Sequence, residues 1–383
     1  MRDDHKESQR FHALDSFRGI CALAVVVFHM HVLGAFSELQ VFRSADLFVD
    51  YFFVLSGFVF SYSYGQQEGL EIKRFLVSRT FRLFPLHLLM LVVFVVFEIA
   101  KLQAAKKGFV FNNEPFTGEY AYSQILPNAL LVQSWTTLTE NYSFNYPSWS
   151  ISIEYYMYLL FALIVLLAFR ARYLLWAVVS VVAFMDLLMG STFFTLPAAK
   201  GLSCFFAGAL AYLLYRKLSK AWVPGCRLMS VVEFVSVALV VALLSSNLEA
   251  RSLMCTLLFC VTVVVFAFDK GLLSQWLGNR LFGFLGKLSY SIYMTHAAVL
   301  FCFVSLFIVA QKFLGRPLAP TISGTRFLDS GSVSVNNMIV CAVIVCVVLV
   351  SALTYKYVEL PGQKFGRRLL GASQVPGKRP VSS

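Results

Sequence analysis

Arg18 and His29 stand eleven residues apart in LDSFRGICALAVVVFH, a stretch otherwise apolar after its first residues. On an α-helix, eleven steps return to within about 20° of the starting direction and climb about 16 Å. The spacing therefore predicts a guanidinium at one mouth of a helix and an imidazole deep on the same stripe. A fixed cation can hold an anionic head group, and an imidazole can take a proton from a hydroxyl or carry a group itself. The alternative is an anchoring arginine and a structural histidine. Asp50 precedes FFVLSGF, where Ser56 and Gly57 read either as a polar lining or as a close-packing contact. Arg79 and Arg82, three apart and so on one helical face, make a candidate phosphate clamp, with Pro85 and His87 just beyond. In PSWSISIEYYMY, Ser150 and Glu154 are four apart and share a face beside Trp149. A carboxylate at that depth needs a partner, and His29 is the expected one, since a bonded imidazole becomes a better base. His296, in LSYSIYMTH, is expected to line a substrate site with Ser56, Trp149 and Ser150, or to serve packing. Glu359 reads as a helix-end contact.

These groups sit in a chain that cannot be an ordinary soluble protein. Of 383 residues, 58% are hydrophobic and 14% charged, with a mean hydropathy of +0.73; soluble domains carry about 25% charged residues. Apolar runs near 17–36, 47–64, 81–99, 149–169, 173–190, 200–215, 228–246, 252–268, 288–310 and 335–354 predict an all-α polytopic bundle of about ten helices. Within such runs an ionisable residue costs roughly 2.5–3.5 kcal/mol, so each is a functional candidate. The net charge of +12 does not point to nucleic acid, because Lys and Arg cluster between the runs. Of the 32, 23 fall on the N-terminal side, which predicts both termini in the cytoplasm. The outer loops near 100–148 and 311–334 are long, and the first is too aromatic to read as disordered. Residues 1–366 read as one transmembrane domain and 367–383 as a flexible tail. No cleavable signal peptide, internal repeat or metal-ligand spacing is expected; seven of the eight cysteines lie inside apolar runs.

Six segments in order, LDSFRGICALAVVVFH, VDYFFVLSGFVF, FLVSRTFRLFPLH, SWSISIEYYMYLLF, LGKLSYSIYMTH and VELPGQKF, resemble the membrane-bound acyltransferase-3 family. That family includes bacterial O-acetyltransferases of lipopolysaccharide, exopolysaccharide and nodulation factors. The resemblance runs from Leu14 to about Phe365. It implies a ten-helix bundle in the bacterial inner membrane with an acyl-CoA donor, usually acetyl-CoA, entering from the cytoplasm. The family's arginine, ten residues and histidine fall on Arg18 and His29, its arginine pair on Arg79 and Arg82, and its serine and glutamate on Ser150 and Glu154. Tyr155 and Tyr156 stand where tryptophans are common, and the stand-alone form, without the hydrolase-like C-terminal domain of some members, is expected.

Two functions follow as expectations. In the first, an acyl group, most simply acetyl, moves from coenzyme A to a hydroxyl of a saccharide, free or lipid-linked. His29 acts as base or transient acyl carrier, Glu154 orients it, Asp50 assists, and Arg18, Arg79 and Arg82 hold the coenzyme phosphates. No bound cofactor or metal is required. In the second, the chain is a transporter or flippase for an anionic lipid or glycan, with the arginines as gates; the missing repeat weighs against it.

Overall fold

The computed structural model describes residues 11–66, 68–108, 114–248 and 250–371. Residues 372–383 of the expected tail lie outside the described residues. The chain runs α1 (His12–Phe28), α2 (Gln40–Arg43), α3 (Phe48–Ser63), α4 (Ile72–Ala105), α5 (Ile125–Ala129), α6 (Ser148–Leu167) and α7 (Arg172–Met189). It continues through α8 (Leu196–Ala221), α9 (Cys226–Leu244), α10 (Arg251–Ala267), α11 (Leu272–Leu277), α12 (Arg280–Leu314), α13 (Val333–Thr354) and α14 (Leu360–Leu369). A two-residue hairpin, β1 (Thr321–Ile322) with β2 (Thr325–Arg326), lies in the second long loop.

Every apolar run coincides with a helix. Among the described residues, eight helical segments are long and apolar enough to cross a membrane. The shorter α1 and α10, of 17 residues each, occupy the remaining two predicted positions. Several helices overrun their apolar stretch. α4 has 34 residues and α12 has 35, because hydropathy marks only the stretch facing lipid and the polar ends stay helical beyond it. Asn279 begins α12 by accepting hydrogen bonds from the amides of Leu281 and Phe282 at 2.9 and 3.1 Å. α13 does not stop where its apolar run stops. It passes through a π turn, Tyr355–Glu359, into α14, with Pro361 in that helix's first turn, where its missing N–H costs nothing.

α1 differs in the other direction. It starts at His12 and ends at Phe28 rather than near residue 36. Beyond it the chain leaves the helix and pairs with the second outer loop, through Leu33 N–H to the Leu328 carbonyl at 3.0 Å and Leu328 N–H to the His31 carbonyl at 2.8 Å.

The bundle core depends on two close crossings. A Cβ at Gly57 of α3 would stand 1.8 Å from the Phe205 carbonyl oxygen of α8, and one at Gly208 would stand 1.9 Å from that of Val54. Likewise a Cβ at Gly286 of α12 would meet the Asp15 carbonyl oxygen of α1 at 2.2 Å. Hydrogen at these positions lets the backbones touch. The consequence is functional, because α1, α3, α6 and α12 are drawn around one polar interior.

Candidate active site

Three cavities line up through that interior, each sharing walls with the next. The inner one, about 410 Å³, is lined by Asp15, Arg18, Ser56, Arg79, Arg82 and Tyr158. The middle one, about 40 Å³, is bounded by Arg18, Ser56, Ser150, Glu154, Tyr290 and Tyr293. The outer one, about 400 Å³, is lined by His29, Asp50, Tyr146, Trp149, Lys200 and Tyr293. Arg18 and Ser56 belong to the first and second, and Tyr293 to the second and third.

The arginines differ in character. Among the described residues, Arg18 and Arg82 have no hydrogen-bond partner and face the inner cavity. Arg82 also lies in the field of Glu359 and Glu154. Arg79 is held in place: it donates to the Tyr64 hydroxyl at 2.7 Å and its guanidinium carbon lies 4.8 Å from the Phe60 ring centre and 5.4 Å from that of Tyr64. Such cation–π contacts fix an arginine's plane. The three guanidinia against Asp15 leave the inner wall positive, which suits polyphosphate.

Glu154 and His29 do not meet. The Glu154 carboxylate, on the wall of the middle cavity, accepts from Ser56 Oγ at 2.9 Å and from the Tyr158 hydroxyl, and both partners also line the inner cavity. α6 carries Ser150 and Glu154 along one face, as the spacing of four requires. That face looks toward α3 and α12, where Ser150 Oγ lies 2.9 Å from the Tyr293 hydroxyl and 3.2 Å from the Pro147 carbonyl oxygen. His29 lies one cavity further out, because α1 ends there instead of continuing through the bundle. It is oriented by its own helix: Nδ1 is 2.9 Å from the Val25 carbonyl oxygen. A carbonyl only accepts, so Nδ1 carries the proton and Nε2 keeps its lone pair. The ring packs at 4.6 Å from Tyr146 and 5.1 Å from His296.

His296 is fully buried, behind His29 rather than on the cavity wall. Asp50 is buried in the first turn of α3, 3.4 Å from Ser252 Oγ, with Lys200 as the nearest cation in its field. Trp149 stands on the outer wall near Phe53 and Tyr142. Gly57 and Ser56 divide the two readings of their pair, the first packing on α8 and the second facing the cavities. His87 is structural: its Nε2 lies 2.8 Å from the Asn128 carbonyl oxygen, which pins the first outer loop. Glu359 accepts from Ser291 at 2.9 Å and from Gln363 at 3.2 Å, which makes it an interior counter-charge near Arg82 and more than a helix-end contact.

Lys200, Tyr146 and Tyr293 were not anticipated. Lys200 opens an apolar run and reads as an ordinary boundary charge. Tyr146 reaches the site from a loop whose path no periodicity describes. Tyr293 had a legible sign, since it lies three residues before His296 and therefore shares its helical face.

The class of protein is given by a family model whose description is an acyltransferase domain. The family model of that description, acyltransferase-3, matches residues 11–356, and the chain belongs to this family. Acyltransferase MdmB of Streptomyces mycarofaciens is 31% identical over 165 residues, which are 40% of this chain and 39% of that protein. Putative acetyltransferase ORF330 of Acidianus two-tailed virus is 24% identical over 296 residues, 73% of this chain and 80% of the relative. Protein 2 in picA locus of Rhizobium radiobacter is 38% identical over 94 residues, 24% and 47% of the two chains. The match to the Streptomyces and Rhizobium proteins thus spans less than half of their lengths. No solved structure matches the chain.

Proposed function

We propose that the protein moves an acyl group, most simply acetyl, from acyl-CoA in the inner cavity to a saccharide hydroxyl in the outer one. The observation that carries this reading is the row of cavities with arginines at one end and His29 at the other. Coenzyme phosphates bind Arg18, Arg79 and Arg82. The pantetheine arm, the narrowest part of the coenzyme, extends through the middle cavity as its walls part and brings the thioester toward Tyr293 and His29. Arg18 and His29 are about 16 Å apart along α1, a span of the same order as that arm. His29 Nε2 then takes the acceptor proton, or carries the acyl group transiently. Asp50, Lys200 and the faces of Tyr146 and Trp149 suit a sugar, whose hydroxyls need polar partners and whose C–H faces stack on aromatic rings. A cytoplasmic donor and an acceptor on the opposite side place the enzyme in the cell's cytoplasmic membrane; the acceptor is free or lipid-linked.

The same row of cavities would also serve a flippase. The middle one weighs against that, because a cavity of about 40 Å³ would have to widen far more for a lipid head group or a sugar than for an extended thioester arm. Purified protein given labelled acetyl-CoA separates the two. Release of free coenzyme A with label passed to glycan or water supports transfer. Movement of a labelled lipid or glycan across vesicles with acetyl-CoA intact supports the flippase.

A further inference from the structure

Among the described residues, the middle and outer cavities share one polar wall residue. Tyr293 of α12 lines both the middle and the outer cavity, and the other residue common to both is the apolar Val49. Its hydroxyl is fixed by Ser150 Oγ at 2.9 Å, and its ring centre lies 5.9 Å from that of His296, which backs His29. A thioester extended from the arginine end toward His29 would run alongside Tyr293. Thioester attack places negative charge on the carbonyl oxygen, and a positioned O–H donor at that oxygen lowers the barrier.

Resting on the acyl-transfer reading, we propose that Tyr293 is a catalytic residue whose hydroxyl donates to the thioester carbonyl oxygen as the tetrahedral intermediate forms. The acceptor oxygen bonds the carbonyl carbon while its proton passes to His29 Nε2. The carbonyl π pair moves onto oxygen and is held by the Tyr293 O–H. When the carbonyl reforms, the C–S bond breaks, and the departing coenzyme A thiolate takes the proton back from His29. Ser150 is a positioning residue: it holds the phenol at the passage, while its α6 neighbour Glu154 is engaged by Ser56 and Tyr158.

The test is steady-state acetyl-CoA turnover by wild type and Tyr293→Phe in detergent, with membrane yield and melting temperature measured alongside. Removing one such donor is expected to lower kcat about a hundredfold with the donor KM within about threefold. A purely structural role for the Tyr293–Ser150 contact would lower the melting temperature or raise KM and leave kcat alone. That result, or kcat within about threefold of wild type, overturns the inference. Should Tyr293→Phe fail to accumulate, 3-fluorotyrosine at position 293 keeps the hydroxyl and makes it a stronger donor. It is expected to raise kcat, and an unchanged or lower kcat overturns the inference. A wild-type protein inert towards acetyl-CoA overturns the acyl-transfer reading and this inference with it. An active wild type with an unimpaired variant overturns this inference alone.

Discussion

Arg79 and Arg82 look equivalent in FLVSRTFRLFPLH, yet their surroundings make them different instruments. Arg79 is wedged between Phe60 and Tyr64 and bonded to the Tyr64 hydroxyl, whereas Arg82 faces the cavity with no hydrogen-bond partner among the described residues. Replacing Arg82 by Ala is expected to raise the acetyl-CoA dissociation constant about ten- to a hundredfold, since a charge-assisted hydrogen bond contributes roughly 1.5–3 kcal/mol. Removing Arg82 also takes a counter-charge from buried Glu359, so the acetyl-CoA constant, not the melting temperature, is the readout. Arg79→Lys should instead lower the melting temperature, because an ammonium cannot replace a planar group between two rings. Isothermal titration and thermal melts of both variants check this, and identical behaviour of the pair would refute it. The positions of His29 and the arginines in polar cavities were legible, because ionisable groups stand out in apolar sequence. The partners of Glu154 were not. Its carboxylate is met by hydroxyls, Ser56 and Tyr158, and hydroxyl-bearing residues are too common in this chain to signal a site.

At the scale of elements, hydropathy located ten apolar helices, eight of them long, but not their ends. The early finish of α1 was hidden because residues 30–36 remain largely apolar; Met30, Val32 and Ala35 are buried in a cluster with α12, α13 and Leu328 of the second loop, not in a continuing helix. This shift moved His29 from mid-helix to a helix end, and so away from Glu154. Residues 114–147 of the first outer loop are tied to one another and to α6. Asn128 is buried within it and donates to the Ser143 carbonyl at 2.8 Å, and Trp135 Nε1 donates to the Ser152 carbonyl at 3.1 Å. Leu131 and Phe144 there hold left-handed φ of 58° and 55°. Such backbone strain, of order 1–3 kcal/mol each, is offset where both side chains are fully buried. The α3–α8 crossing yields a sharper prediction. Gly57→Ala puts a methyl group against the Phe205 carbonyl, and overpacking of this kind costs about 1–3 kcal/mol or more. The variant should melt lower and accumulate less than wild type, and an unchanged melting curve in detergent would contradict the crossing.

For the whole molecule, the direction of the reaction follows from its orientation. The 23 of 32 Lys and Arg on the N-terminal side predict that the inner cavity opens to the cytoplasm and that the loop around residue 120 lies outside. A reporter active only outside the cytoplasm should be on when fused at residue 120 and off at the C-terminus; the reverse would invert the donor and acceptor sides. The central claim is that the acyl group crosses from the arginine cavity to His29. Inside-out membrane vesicles containing the protein, supplied externally with labelled acetyl-CoA, test it most directly. Labelled acetyl should collect in the lumen, on glycan or as acetate, and His29→Ala should reduce that label at least tenfold, in keeping with the roughly 10²–10⁴ contributed by a general base. Label confined to the outer face, or lumenal label undiminished in the His29→Ala protein, would contradict the account.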